Sequence, residues 1–168
     1  MRRLSARLNI ALILVGAFLF TFLNSAATSN ITPPRGTLRV GSLTPHPSIH
    51  VQDELYARSL VFDDGTNQIS LVTVDLVGFH RRVSLEARRL ILEAFGIAPD
   101  NVVISDPHTH SSGSASCSTR YTNEQELDNY QRLLAHRIAA GLWRAQNLLR
   151  PVDNAEWLVG GASLAREA

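Results

Sequence analysis

The chain has very little cysteine: one residue, Cys117, in 168. No internal disulfide can form, so a disulfide-held scaffold is excluded and the fold must rely on its core or on a bound metal. It also lacks a charge excess. Sixteen basic side chains face fifteen acidic ones, for a net charge of +1. No strongly basic surface for nucleic acid is expected. Charged residues make up only 18% and hydrophobic residues 45%, which excludes wholesale disorder. The longest apolar run, Ile10 to Leu23, is shorter than the roughly 20 residues of a spanning helix. No cysteine follows it to carry a lipoprotein anchor, and no internal repeat or low-complexity stretch is present.

The amino-terminal pattern is basic, then apolar, then small. Arg2, Arg3 and Arg7 precede Ile10 to Leu23, and Asn24-Ser25-Ala26-Ala27 follows. That order predicts a secretory signal over 1–27 and a mature domain over 28–168, secreted or periplasmic. Left uncleaved, the same stretch would serve as a membrane anchor.

After Ile31-Thr32-Pro33-Pro34, held extended by its prolines, residues 35 to 52 read as a loop. Ala57 to Phe62 predicts a strand, Asp63 to Asn67 a turn, and Gln68 to Val74 a second strand, together a hairpin. The near-continuous apolar run Ile69, Leu71, Val72, Val74 suggests that this second strand is buried on both faces. From Val83 to Phe95 the period changes. Val83, Ala87, Leu90, Ile91 and Ala94 form a helical stripe that Gly96 ends. Val102 to Ile104 is a third strand, parallel to the second across the helical crossover. Thr122 and Gln125 have capping-box spacing at the head of a long helix striped by Leu127, Tyr130, Leu134, Ile138 and Leu142, and Pro151 stops it. Trp157 to Val159 would begin a fourth strand. The predicted class is α/β, a mixed sheet with a strand-helix-strand crossover.

His108-Thr109-His110 follows the third strand directly. In open α/β sheets ligands bind beyond the carboxyl ends of strands. In extended backbone, residues two apart point the same way, so two imidazoles at this spacing can reach one metal ion, and zinc accepts neutral imidazole. The spacing equally fits two solvated histidines in a Ser/Gly-rich loop. Ser111 to Ser114 could cradle an oxyanion through its backbone N–H groups or be a plain polar loop. Asp75 and Asp106 are candidates to orient an imidazole. His46, His50, His80 and His136 read as ordinary residues.

Several stretches resemble the catalytic domain of neutral/alkaline, non-lysosomal ceramidases. Ile31 to Pro34 matches that family's opening. Asp53-Glu54-Leu55-Tyr56-Ala57-Arg58-Ser59-Leu60-Val61-Phe62-Asp63-Asp64-Gly65 is similar to "DPLYARALVLDDG", and Val72-Thr73-Val74-Asp75-Leu76 to "VSVDL". Gly96 to Val102 resembles "GIPPENV", and Ser105-Asp106-Pro107-His108-Thr109-His110-Ser111 resembles "SATHTHS". The resemblance implies the N-terminal portion of a larger zinc hydrolase domain that cleaves the amide of N-acylsphingosine (ceramide) to sphingosine and fatty acid. It implies that His108 is a Zn2+ ligand and that His110 assists substrate or water. A membrane surface would then be reached through the lipid substrate. The chain departs from the family in Ser112-Gly113-Ser114-Ala115, where Gly-Pro-Gly-Gly is usual, and in Asn30, where an aspartate is usual. The family's other zinc ligands (a second histidine, a glutamate and a tyrosine) and its catalytic serine lie beyond this chain's length, so a partner chain or oligomer would have to complete the site. Two other readings are a non-catalytic exported α/β domain and a metal hydrolase of another amide or ester.

Overall fold

Alternation between Tyr56 and Asp63 and between Gln68 and Val74 places every second side chain on one face, where helices cover it. The computed structural model describes residues 22–39, 44, 46–113, 115 and 126–151. The main sheet has five strands in the order β6-β5-β4-β1-β7. These are β1 (Leu23–Asn30), β4 (Tyr56–Asp63), β5 (Gln68–Val74), β6 (Val102–Ser105) and β7 (Arg150–Pro151). A separate two-stranded ribbon joins β2 (Leu38–Arg39) to β3 (His46–Pro47), inside the stretch predicted to be loop. β4 and β5 form the predicted antiparallel hairpin, with Leu60 opposite Leu71. Its turn is closed by the Asp64 side chain, which accepts from the backbone N–H groups of Thr66 and Asn67. Those bonds, Asn67's first, hold the Asp64 carboxyl below its usual range. Gly65 takes a φ of 81°, open to glycine at little cost.

The crossover helix α1 (Arg81–Phe95) starts where His80 Nδ1 accepts from the backbone N–H of Arg82 and ends at Gly96 with φ 72°. It delivers the chain to β6, which pairs parallel to β5 from Ser70↔Val102 to Thr73↔Ser105. Helix α2 (Asn129–Asn147) lies beside α1. Its capping box is Asp128 with Gln131, while the Thr122 and Gln125 predicted for that role lie outside the described residues, as does Trp157 to Val159. Val83, Ala87 and Ile91 of α1 and Leu134, Ile138 and Leu142 of α2 are fully buried against Val61, Val72 and Val74 of the sheet. Gly141 brings α2 close: a Cβ there would meet Ser29 Oγ at 3.0 Å and Ser59 Oγ at 3.2 Å.

Two further findings bear on the sequence reading. β1 includes Leu23 to Ala27, residues assigned by their composition to the end of the leader. The strand pairs with β4 along its whole length, from Leu23↔Asp63 to Asn30↔Tyr56. Position 27 lies within this strand. In addition, β5 is covered on one face only. Ser70, Val72 and Val74 are buried, whereas Ile69 is 51% and Leu71 38% exposed. With Val103, 50% exposed, and Leu60 and Phe62 on the same face, they form an apolar band across the uncovered side of the sheet.

Neighbouring positions of β5 should therefore respond in opposite ways. Val72→Ala, in the covered layer, is expected to lose about 2 kcal/mol through lost burial and the residual cavity. Leu71→Lys should stay within about 0.5 kcal/mol of the parent and reduce binding of a hydrophobic-surface dye. Chemical denaturation and dye fluorescence on the two variants measure this, and equal losses would contradict the one-sided burial.

Candidate functional site

Parallel pairing brings the carboxyl ends of β5 and β6 to the same level, and both following loops meet there. The backbone N–H of Thr109 donates to the Leu76 carbonyl at 3.1 Å. The N–H of Val77 donates to Ser112 Oγ at 3.0 Å, and that hydroxyl donates to the Thr109 carbonyl at 3.2 Å. Ser112 is buried, 1% exposed, so it staples the two loops together. Beyond it, Gly113 bridges to Arg39 of β2 and Ala115 to Phe79. The Ala115 carbonyl accepts from His80 N–H at 3.1 Å and from Gln131 Nε2 at 3.0 Å. Gly113 is required by close approach, since a Cβ would stand 2.9 Å from Pro33 Cγ. Within the Ser/Gly stretch, then, Ser112 and Gly113 are built into the fold; Ser114 lies outside the described residues.

His108 and His110 stand on this platform, both exposed. Their ring centroids are 5.1 Å apart with planes at 64°. The sequence argument for this pairing assumed extended backbone, and the structure reaches it differently. His108 is the only non-glycine described residue with positive φ, at 59°. That left-handed conformation costs an L-residue about 1–2 kcal/mol, and such outliers cluster at functional positions. Asp106 holds it there, its Oδ1 accepting from the His108 backbone N–H at 3.2 Å. Asp106 thus acts on the backbone of His108. Asp75 is used elsewhere. Oδ2 accepts from the Tyr56 N–H at 3.0 Å and Oδ1 pairs with Arg58, fastening β4 to the end of β5.

The other histidines are not gathered here. His80 caps α1, His46 lies in the β2–β3 ribbon, and His136 is on α2 near Glu86, whose carboxyl is lowered mainly by Arg89. Cys117 falls outside the described residues. A depression lined by Leu85, Arg88, Pro99, Asp100, Val102 and Val103 lies at the amino end of β6, the end away from the histidines. Among the described residues no group of three His, Cys, Asp or Glu side chains could enclose a metal ion. What the fold presents is an exposed pair of imidazoles on a rigid ledge, which suits part of a zinc site and not a whole one. Ser112 and Gly113 were the positions the sequence underrated; a buried hydroxyl inside a polar run carries no local signal.

No family model matches the chain. Among solved structures it is similar to the neutral ceramidase from Pseudomonas aeruginosa, with 22% identity and a TM-score of 0.64 over 79% of this chain. It is also similar to a ceramidase complexed with C2, with 21% identity and a TM-score of 0.66 over 79% of the chain. It therefore shares the fold of a ceramidase domain segment. In both cases the match spans only 22% of the other protein.

Removing the Asp106 acceptor should loosen the histidine turn without touching either ring. In Asp106→Ala the His108 amide is expected to exchange with solvent about fivefold faster, the equivalent of one hydrogen bond of about 1 kcal/mol. Asp106→Asn keeps an oxygen at that place and should exchange at the parent rate. Hydrogen exchange followed by NMR reads both; equal rates in all three would show that the contact does not hold the turn.

Proposed function

We propose that this chain supplies the His-Thr-His arm of a zinc-dependent amide hydrolase that cleaves N-acylsphingosine. The reading rests above all on one observation: two imidazoles 5.1 Å apart, the first held in a left-handed turn, at the carboxyl ends of parallel strands. The shared fold with two ceramidase structures supports it, as does the ordered set of sequence resemblances that runs through the same strands. His108 is the metal ligand in this reading. When bound, zinc lowers the pKa of its water to about 7 and polarises the carbonyl. His110, whose ring centroid lies 5.1 Å from that of His108, would hold or exchange a proton with the water or the amide. The exposure of both rings leaves room for a substrate to approach.

A catalytic zinc normally has three protein ligands, so donors other than the histidine pair, outside the described residues or in a partner, would complete the site. A lipid amide would be met at a membrane surface. A second reading is a non-catalytic exported α/β domain.

The test places this chain in the position of the matching segment of a neutral ceramidase and assays N-acylsphingosine hydrolysis. Activity is expected, and His108→Ala should reduce it by more than about 100-fold, the upper range for disturbing even an outer partner of a metal ligand. Calorimetric titration of the full chain with zinc chloride should give heat that His108→Ala abolishes. Zinc-indifferent protein together with activity insensitive to His108→Ala would leave the second reading standing.

A further inference from the structure

The β2–β3 ribbon stands apart from the main sheet and has two unlike faces. Its register sets Leu38 opposite Pro47 and Arg39 opposite His46. Alternation along a strand then puts Leu38 and Pro47 on one face and Arg39 and His46 on the other. The aliphatic side chains of the ribbon are uncovered. Leu38 is 52% exposed, and beyond Pro47, at the same spacing of two, come Ile49, 80% exposed, and Val51, 42% exposed. Ile49 is the most exposed large hydrophobic side chain among the described residues. Exposed aliphatics grouped on one ribbon mark a surface that meets an apolar partner.

The charge around them is of one sign. Arg35 and Arg39 are exposed, and among the described residues neither enters an ion pair. His46 and His50 add two imidazoles, and no acidic residue occurs from Arg35 to Gln52. Aliphatics flanked by unpaired guanidiniums complement a surface with a hydrocarbon interior and an anionic rim, which is a bilayer containing acidic lipid. The arginine stems are long enough to keep their charged heads among the phosphates while the aliphatics go deeper. A single-stranded nucleic acid would call for stacking rings, and residues 35 to 52 hold no Phe, Tyr or Trp.

We propose that the β2–β3 ribbon is a membrane-docking element, which inserts Leu38, Ile49 and Val51 into the interface of an anionic bilayer and sets Arg35 and Arg39 on its lipid phosphates. The ribbon is held as a unit: the Ser48 N–H donates to the Thr37 carbonyl at 2.9 Å, and the Gly36 N–H donates to the Ser48 carbonyl at 2.9 Å. It is also fixed to the histidine ledge. Arg39 forms an antiparallel bridge with Gly113, and a Cβ on that glycine would meet Thr37 Cγ2 at 3.3 Å. Docking therefore holds the ledge of His108 and His110 beside the bilayer. The inference stands on the ribbon and not on the histidines, so it succeeds or fails apart from the hydrolase reading.

The full chain carrying Cys117→Ser and Ile49→Cys, labelled at position 49 with an environment-sensitive fluorophore, tests it. Vesicles of phosphatidylcholine with phosphatidylglycerol should raise the emission and shift it to the blue. Vesicles of phosphatidylcholine alone should need at least about tenfold more lipid for the same response. Arg35→Ala together with Arg39→Ala should weaken the response about 25-fold, from about fivefold for each basic residue at an anionic surface. The same label placed by Leu92→Cys, at an exposed position on α1, should not respond. A label at position 49 that stays in water in the presence of anionic vesicles would overturn the proposal and leave a protein as the ribbon's occupant. An equal response to neutral vesicles, or an equal response at position 92, would overturn it as well. None of these readouts involves zinc or amide hydrolysis.

Discussion

The parallel pairing of β5 with β6 is the constraint on which the candidate site depends. Its register, Ser70↔Val102 through Thr73↔Ser105, brings two strand ends level. Only then can the Thr109 N–H reach the Leu76 carbonyl and Ser112 bridge Val77 to Thr109. A parallel pair cannot be closed by a tight turn; it requires a crossover. The fully buried Val83, Ala87 and Ile91 of α1 therefore act at a distance on the histidines. They fix the crossover on the sheet, the crossover fixes the register, and the register sets the ledge. Tyr130 ties the same platform to the amino-terminal strand. Its half-buried hydroxyl donates to the Ile31 carbonyl at 2.8 Å, and burial pushes its pKa well above the ordinary value.

The parts legible in the sequence are those with a strong local signal. Runs of apolar residues marked β4, β5 and β6, Asp-Asp-Gly-Thr-Asn marked the turn, and Gly96 marked the end of α1. β1 was not legible as a strand. Leu-Asn-Ser-Ala-Ala-Thr-Ser-Asn holds almost nothing of high strand propensity, and its small residues fit a leader's end better. What makes it a strand is its partners: it pairs with β4 along its length, and Ser29 is small enough for α2 to close over it at Gly141. The start of α2 was misplaced for a related reason. Two capping-box spacings precede it, Thr122 with Gln125 and Asp128 with Gln131, and sequence alone does not rank them.

For the histidines, spacing gave the pair but not its geometry. The extended-backbone argument would set both rings on one side of a strand. Instead Asp106 captures the His108 N–H, the backbone turns left-handed, and the rings meet edge to face. The ceramidase-like motif has alanine where Asp106 stands. The carboxylate is thus a local solution of this chain to holding a strained residue, invisible to a search for imidazole partners.

The expectation that β5 is buried on both faces carries the last step. Ile69, Leu71 and Val103 make a face as apolar as the one that α1 and α2 cover, yet it lies open. Toward the histidine end the same face turns polar, through Thr28, Arg58, Thr73 and Ser105 in one row across the strands. A surface that is oily away from the site and polar beside it is patterned like an inner layer whose rim borders a pocket. At the same end of the sheet the histidine ledge has no group of three donors among the described residues. The match spans 22% of each ceramidase structure, and this chain's own contribution to the shared fold is that graded face together with the imidazole pair at its polar end.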